Sequence, residues 1–411
     1  MSTTHKPVID FDHHSAGYRE NWVQIARDFH ARDKAIAWSE AHGGFWVVAN
    51  RDACVAMLED WETYTSYNDL DGTGNGGFGQ LVPQAPYRLV LGESDPPLHT
   101  GRRQLEAPFF TPRAVRTWGQ AAQRHVDEAI DNVIESGRAD LVNDVIIPTT
   151  ARTTLYAIGY PGDWRDAALA AHTLSFSLPG DDLYPLEEMN RVRQEFRAIL
   201  AERRKEDTGD LISALANGLV EGVPLTDDEG ESMMNALVFG GFDSTTSVTA
   251  HALLWLSQNR HEIPRIRDDA AYRKNAVEEF LRFFPPTTHI TRTAMRDTEI
   301  LGQKISKGER VVAWFSGANR DPSTFENPDE IRLDRANAHD HMAFSAGVHR
   351  CLGSPLAKIE VSVMIETVLR RLPDFEVDID ASTHYPTFGF IYGMIDEPMT
   401  FAPGERLTLS V

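Results

Sequence analysis

Cysteine is nearly absent from this chain: 411 residues carry two, Cys54 and Cys351, far apart. Two thiols cannot build a disulfide scaffold or a four-thiolate cluster, and in a reducing compartment each has to be explained by itself. Basic charge is also scarce. Lysine and arginine number 40 against 61 acids, a net charge of −21, which excludes broad contact with nucleic acid because phosphate binding needs a positive footprint. A small basic patch for an acidic partner stays compatible with that charge. No apolar run approaches the length of a membrane span, and Met1-Ser2-Thr3-Thr4-His5-Lys6 leads straight into polar sequence without the regions of a signal peptide. These absences predict a soluble, cytoplasmic protein with neither membrane nor nucleic acid among its partners.

What is present is ordinary globular composition, 42% hydrophobic and 25% charged. The pattern is helix-rich with a few short strands near the two ends. A helix near Glu20–Arg32 precedes two apolar runs, Ala35–Ser39 and Phe45–Val48, around His42-Gly43-Gly44, which read as a β-hairpin. Ser66–Val90 is rich in glycine and proline and reads as a long functional loop. From Pro97 to about Asn259 apolar residues recur at three and four. Thr226-Asp227-Asp228-Glu229 has the form of a capping box. A helix from there to Gln258 is on the order of 50 Å long at about 1.5 Å per residue, enough to cross the molecule.

A further helix, about Tyr272 to Phe284, is stopped by Pro285-Pro286. Short strands follow at His289–Thr293 and Arg310–Trp314, then a polar stretch from Asn319 to His341 and a helix from Gly353 to Arg371. With no repeat, low-complexity tract or linker, the expectation is one mixed domain over residues 1–411, its N-terminal part (about 1–65) carrying the hairpin.

Phe344-Ser345-Ala346-Gly347-Val348-His349-Arg350-Cys351-Leu352-Gly353 carries the strongest chemical signal. A helix N-terminus, cations and a metal all favour a thiolate. Here small residues let the backbone turn closely round the sulfur, a helix starts near Gly353, and Arg350 and His349 flank it. The segment resembles the haem-binding loop of the cytochromes P450, Phe-Gly-x-Gly-x-His-x-Cys-x-Gly, departing from it at Ser345, where that family usually has glycine. The resemblance implies that Cys351 is the axial thiolate of haem b, with Phe344 and Gly353 beside it. The implied fold is mainly α with small β-sheets, the P450 fold, with the haem between the long central helix and the cysteine loop.

Four more segments agree in order. Glu279-Phe280-Leu281-Arg282 resembles the family's Glu-x-x-Arg motif, whose spacing puts acid and guanidinium on one helix face. In Phe325–Arg335 the resemblance gives Arg335 as third member of this ion-pair network, with Arg332 as the alternative. His99 and Arg103, four apart after Asp95-Pro96-Pro97, resemble the family's His-x-x-x-Arg pattern. With Arg292 and His349 they are implied to bind the haem propionates, since buried carboxylates need partners. Phe239-Gly240-Gly241-Phe242-Asp243-Ser244-Thr245-Thr246 lies inside the long helix. Each of its glycines costs about 1 kcal/mol against alanine, which close approach of a flat cofactor would explain. It is similar to the family's oxygen-activating segment, with Asp243 as the acid and Ser244, in place of threonine, as the alcohol. Thr245 is the alternative if the helix unwinds.

By that resemblance Asp243 and Ser244 relay protons, Cys351 donates electron density to iron, and O2 and two electrons are consumed. No flavin or reductase segment is read, so the implied electron source is a separate ferredoxin or flavodoxin-type partner, docking on a basic patch of Arg273, Lys274 and Arg350. The implied substrate is a small, mainly hydrophobic molecule among Val82, Leu89, Phe176, Val238, Phe242, Thr288, Ile290 and Ile391, with Arg88 or His289 as a polar anchor. A reductase-independent haem-thiolate enzyme (peroxygenase, isomerase or dehydratase) and a non-enzymatic haem sensor are the alternatives. Gly72–Gly79 lacks the strand-to-helix setting of a dinucleotide fingerprint and reads as a flexible loop near the substrate entrance. His13-His14 and His339, His341 lack the companions of a zinc site and read as solvated loop residues. Cys54, on an amphipathic segment, reads as a packed thiol.

Overall fold

In the computed structural model, which describes residues 6–69, 76–84, 88–177, 182, 184–387 and 389–407, the capping box at Thr226 is formed. The Thr226 hydroxyl accepts from the Glu229 N–H at 3.2 Å, and the Glu229 carboxylate accepts from the Thr226 N–H at 2.9 Å. Before it come α1 (Ala16–His30), α2 (Arg51–Glu59), α3 (Leu98–Glu106), α4 (Pro112–Val133), α5 (Ile147–Ile158), α6 (Trp164–Phe176), α7 (Leu186–Lys205) and α8 (Leu211–Asn217). The capped helix is α9 (Asp227–Gln258), followed by α10 (Ile263–Asp268), α11 (Ala270–Phe283), α12 (Phe315–Ala318) and α13 (Ser354–Arg371).

As its length predicts, α9 runs through the interior. Met233, Met234, Val238 and Phe242 pack into an apolar cluster with α6, α7 and α8. Further along, Val248, Leu253 and Leu256 enter a second cluster with α4, α11 and α13. Its buried Glu231 is neutralised by Arg193 and Arg197 of α7, as a desolvated carboxylate requires.

The strands are β1 (Ile36–Ser39), β2 (Phe45–Val48), β3 (Tyr64–Thr65), β4 (Arg138–Asp140), β5 (Leu219–Val220), β6 (Val223–Pro224), β7 (His289–Ala294), β8 (Thr298–Ile300), β9 (Gln303–Ile305), β10 (Arg310–Trp314), β11 (Glu376–Val377), β12 (Thr383–His384), β13 (Met394–Asp396) and β14 (Pro398–Thr400). The predicted hairpin forms, with Trp38 opposite Trp46. It does not stand alone. One sheet has the order β1-β2-β10-β7-β3, with Val311 of β10 parallel to Trp46 and antiparallel to Arg292. Strands from both parts of the sequence thus share a sheet that carries Arg292 into the interior. The Ser66–Val90 loop, of which 70–75 and 85–87 lie outside the described residues, is gathered on the buried Glu93. That carboxylate accepts from Asn68, Gln80 and Leu89 at 2.9, 3.0 and 2.9 Å.

Cys54 is buried on α2, its thiol donating to the Val48 carbonyl at 3.3 Å. The reading of the histidines needs correction. His13 is wholly buried, and it shares the Val82 carbonyl with half-buried His14, at 2.7 and 3.0 Å. The rings of His13 and His289 stand 4.3 Å apart, and His42 pairs with Asp12 at 2.9 Å. His341 is buried against Glu278 at 3.2 Å, whereas His339 is exposed. Burial works against the Glu278 charge, but His341 and Lys358 hold its pKa down at about 2. These sites are made by strands and loops closing over segments with no apolar period of their own.

Burial pushes His251 and His289 down to about 3 from 6.5; the neighbouring His384 adds to it for His251, and His14 and His42 for His289. The unfolded chain takes up these protons near 6.5 and the native chain does so only near 3, so stability present at neutral pH is lost as pH falls between the two. Each ring is expected to contribute a slope of about 1.4 kcal/mol per pH unit there. Denaturant unfolding of H251Q and H289Q at stepped pH checks it: both should show a shallower acid dependence than wild type.

Candidate active site

Cys351 lies just before α13. Its N–H donates to the Phe344 carbonyl at 2.9 Å, closing the segment between them into a loop. Gly347, at φ +67°, has the Leu58 carbonyl where a Cβ would stand, so only glycine fits. Ser345 has φ +59° and an unpartnered hydroxyl. A side chain in that region costs roughly 1–2 kcal/mol, which gives a physical reason for glycine there. Burial pushes the Cys351 thiol pKa up; the N–H groups of Gly353 and Ser354, with Arg103 and Arg350, pull it down. Unlike buried Cys54, Cys351 is accessible, so its thiol is open to a ligand.

The irregular chain leading into this loop is fastened by the predicted ion-pair network. Glu279 and Arg282 are fully buried and pair bidentately at 2.7 and 2.8 Å. Arg335, not Arg332, is the third member: its Nε lies 3.1 and 3.0 Å from the two Glu279 oxygens. Arg332 donates its backbone N–H to Glu279 at 2.8 Å, while its side chain faces Glu326 at the surface. The remaining guanidinium hydrogens reach the carbonyls of Asn319, Glu326, Pro328 and Glu330. Irregular chain before Cys351 is thereby fastened to α11.

The four residues expected around a pair of carboxylates come together. The His99 and His349 rings stand 4.2 Å apart. Burial first, then the charges of Arg292, His99 and Arg103, hold His349 well below its ordinary pKa; burial and Arg103 push His99 down to about 4. Burial lowers Arg292 to about 10. Both ring nitrogens of His99 and Nη2 of Arg292 are buried without a hydrogen-bond partner, an arrangement native proteins avoid unless something else fills it. Ser66, which sequence reasoning missed, bonds His349 at 3.1 Å and Asp95 at 2.9 Å. No motif marks it.

On α9 the two glycines have different reasons. Nothing lies within 4 Å of a Cβ at Gly240, whereas one at Gly241 would stand 2.6 Å from the Thr154 methyl. Gly240 borders open space; Gly241 allows α5 to pack, which corrects the single explanation given to both. The helix is continuous, so Ser244, one turn on from Gly240, stays on the open face, its hydroxyl donating to the Gly240 carbonyl at 2.8 Å. Thr245 is buried at 2% exposure. Asp243 is buried, accepts from the Tyr385 hydroxyl at 2.7 Å and lies 3.0 Å from His172 Nδ1.

The expected pocket residues divide. Val238 and Phe242 are two positions either side of Gly240, about 200° round the helix, and lie in the core; they are removed from the pocket. Ala236, one turn before Gly240, and Phe239 beside it are half-buried. Val82 packs with Phe11 and Trp314, and Ile290 with Trp46 and Val311. Thr288 bonds its neighbour His289 at 2.9 Å, and Ile391 bridges to Thr287. Leu89 is half-buried, and the side chain of Phe176 lies outside the described residues. His289, neutral in its cluster, has no charge to offer a carboxylate, while Arg88 lies 4.1 Å over the Tyr67 ring. Arg273 is not a surface cation: it is buried, bonded to Glu366 at 2.5 Å and to the Ile266 carbonyl at 2.8 Å.

The family model for cytochrome P450 matches residues 184–389, about half of the chain. The chain belongs to the cytochrome P450 family. A steroid C26-monooxygenase of Mycolicibacterium smegmatis is 32% identical over 337 residues, 80% of this chain and 83% of that protein. A biotin biosynthesis cytochrome P450 of Bacillus subtilis is 28% identical over 371 residues, 87% of this chain and 90% of that one. Among solved structures, a Mycobacterium marinum cytochrome P450 in complex with pseudoionone superposes with a TM-score of 0.87 at 27% identity, covering 97% of this chain and 100% of the other. The fold is therefore the P450 fold, the cofactor haem b and the activity that of a monooxygenase.

The residues present fit haem b. Its two propionates match the unpartnered donors of His99 and Arg292, its iron calls for a thiolate such as the accessible Cys351, and its flat face suits the open side of Gly240. Among the described residues no helix is long and apolar enough to cross a membrane.

Two stability outcomes follow from these geometries. Replacing Glu279 by alanine strands two buried guanidinium groups, and equilibrium unfolding should show a loss of about 3–5 kcal/mol. Replacing Ser345 by glycine relieves the left-handed strain, and the same measurement should show a gain of about 1 kcal/mol.

Proposed function

We propose that this P450 inserts one oxygen atom from O2 into a small, mainly hydrophobic organic molecule, with Cys351 as the residue that would hold the haem iron and electrons from a separate ferredoxin or flavodoxin-type protein. The observation that carries the reading is the combination of an accessible, protein-surrounded Cys351 with unpartnered donors at His99 and Arg292. Haem b supplies the redox chemistry that activates O2 when bound. His99, Arg103, Arg292 and His349 would hold its carboxylates and fix its orientation. Gly240 leaves room for it, and Ser244 presents a hydroxyl on that open face. Asp243, adjacent in the chain, exchanges protons with that hydroxyl, which is general acid work. This pair favours O2 chemistry over a reductase-independent reaction.

Half-buried apolar residues near Gly240 support a hydrophobic substrate, and a relative named for steroid oxidation agrees. Exposed Lys274 and Arg350 supply basic surface for an acidic redox protein. We read residues 1–411 as one domain in a cytoplasmic protein, because β1, β2 and β3 share a sheet with β7 and β10.

A carbon monoxide difference spectrum of the reduced protein tests the ligand: the red-shifted thiolate Soret band is expected, and C351S should lose it. A band of the imidazole-ligated type in wild type overturns the assignment. S244A should consume O2 with several-fold less product per O2, measured against peroxide release, while T245A stays coupled; full coupling in S244A removes Ser244 from the relay.

A further inference from the structure

Among the described residues four guanidinium groups have a buried nitrogen without a hydrogen-bond partner: those of Arg88, Arg102, Arg292 and Arg320. Native proteins avoid such donors unless something else fills the place. Arg102 and Arg320 reach a carboxylate through another nitrogen or at longer range, Glu229 at 2.5 Å and Asp329 at 3.5 Å. Arg292 is one of the four residues that fit the haem carboxylates. Arg88 is left, and among the described residues no carboxylate pairs with it.

Its guanidinium lies 4.1 Å over the Tyr67 ring. Stacking of this kind fixes the plane of the group and leaves its in-plane N–H fork for a planar anion. Glu93 feels the charge of Arg88 without pairing with it, because its oxygens are taken by Asn68, Gln80 and Leu89. Nor does Arg88 stand with the residues around the haem carboxylates: the charges that act on His349 are those of Arg292, His99 and Arg103.

Ser232 of α9 places the loop that carries Arg88. Its hydroxyl donates to the Arg88 carbonyl and accepts from the Val90 N–H, both at 3.0 Å. Ser232, Ala236, Gly240 and Ser244 follow at four-residue intervals, a stripe that drifts only about 40° round the helix at each step. Ser232 precedes Gly240 by two such steps, about 12 Å at about 1.5 Å per residue. The loop is thus clipped to the side of α9 that carries the open face at Gly240.

We propose that Arg88 is a specificity-determining residue that binds the carboxylate of an amphipathic acid, with the apolar body of that acid lying along this stripe towards Gly240. The inference rests on the hydrophobic substrate of the proposed function and deepens it. A guanidinium grips a carboxylate through two parallel N–H donors, and one cation balances one negative charge, so a monoanion is the fitting partner. Half-buried Leu89, Ala236 and Phe239 offer apolar contact to the rest of the molecule. With the acid held at this end, oxygen insertion falls on a carbon remote from the carboxylate.

The test titrates the haem-loaded protein and its variants R88L, R88Q and R88K, each checked by its carbon monoxide spectrum. The probes are dodecanoic acid and cholanic acid, one unbranched and one polycyclic, and the methyl ester of each. The substrate-induced spin shift gives Kd. Wild type should bind at least one acid about tenfold tighter than its ester, the size of one charge-assisted hydrogen bond. In R88L and R88Q this ratio should fall to about one, while R88K keeps part of it, because lysine retains the charge without the fork. Product from the better acid should carry oxygen at one remote carbon in wild type and at several in R88L. No shift with either acid, equal affinity for acid and ester in wild type, or a ratio that survives in R88L and R88Q overturns the proposal. Should R88L fail to fold, the wild-type ratio and R88K still decide. A wild type without the thiolate band sinks the proposed function itself; the band without any preference for an acid sinks only this inference.

Discussion

The carboxylate of Glu279 is the point on which the candidate site depends. It is taken entirely out of water and compensated by two guanidinium groups, Arg282 and Arg335, that are themselves buried. Such a pair adds little net stability over apolar packing, but removing one member leaves a buried charge with nothing to balance it. Its value here is positional. Between Asn319 and Arg335 the chain has almost no ladder hydrogen bonds of its own, and the spare guanidinium hydrogens bond its carbonyls instead. Asn319 then accepts from the Met342 N–H at 2.6 Å, at the threshold of the cysteine loop. Charge on α11 thus anchors the chain that leads into the cysteine loop.

The parts of this arrangement that were legible in the sequence are those whose geometry is local. A capping box spans three residues, Glu279 and Arg282 share a helix face by spacing, and the loop from Phe344 to Gly353 has its small residues at set intervals. Arg335 was reachable only through the family's pattern, since a polar segment without periodicity gives no direction of its own. Where face mattered more than spacing, the reading failed. Val238 and Phe242 flank Gly240 in the chain yet point the opposite way, because two positions along a helix turn the side chain through about 200°. The two glycines looked alike, but one borders a hollow and the other admits the Thr154 methyl of a neighbouring helix.

Other misses come from partners distant in sequence. His13 sits in a polar segment and has no apolar period to signal burial; it is covered by β7, by His42 and by the carbonyl of Val82. Arg273 reads as a surface cation beside Lys274, but the helix turns it inward onto Glu366 and two carbonyls. Tyr385 is 142 residues from the acid it holds. No local rule connects such pairs, and only the closing of the fold brings them together.

That closing also explains how one helix carries two buried acids with different work. A buried carboxylate clasped by guanidinium groups is compensated by their charge and fixed by their charge-assisted hydrogen bonds. Glu231, held by Arg193 and Arg197, is suited to be a fixed charge that joins α9 to α7. Asp243 is held instead by a phenol and an imidazole, neither of which brings the permanent charge of a guanidinium. The two acids therefore differ in the charge of their partners, and this distinguishes the acid beside Ser244 from the acid that anchors the helix.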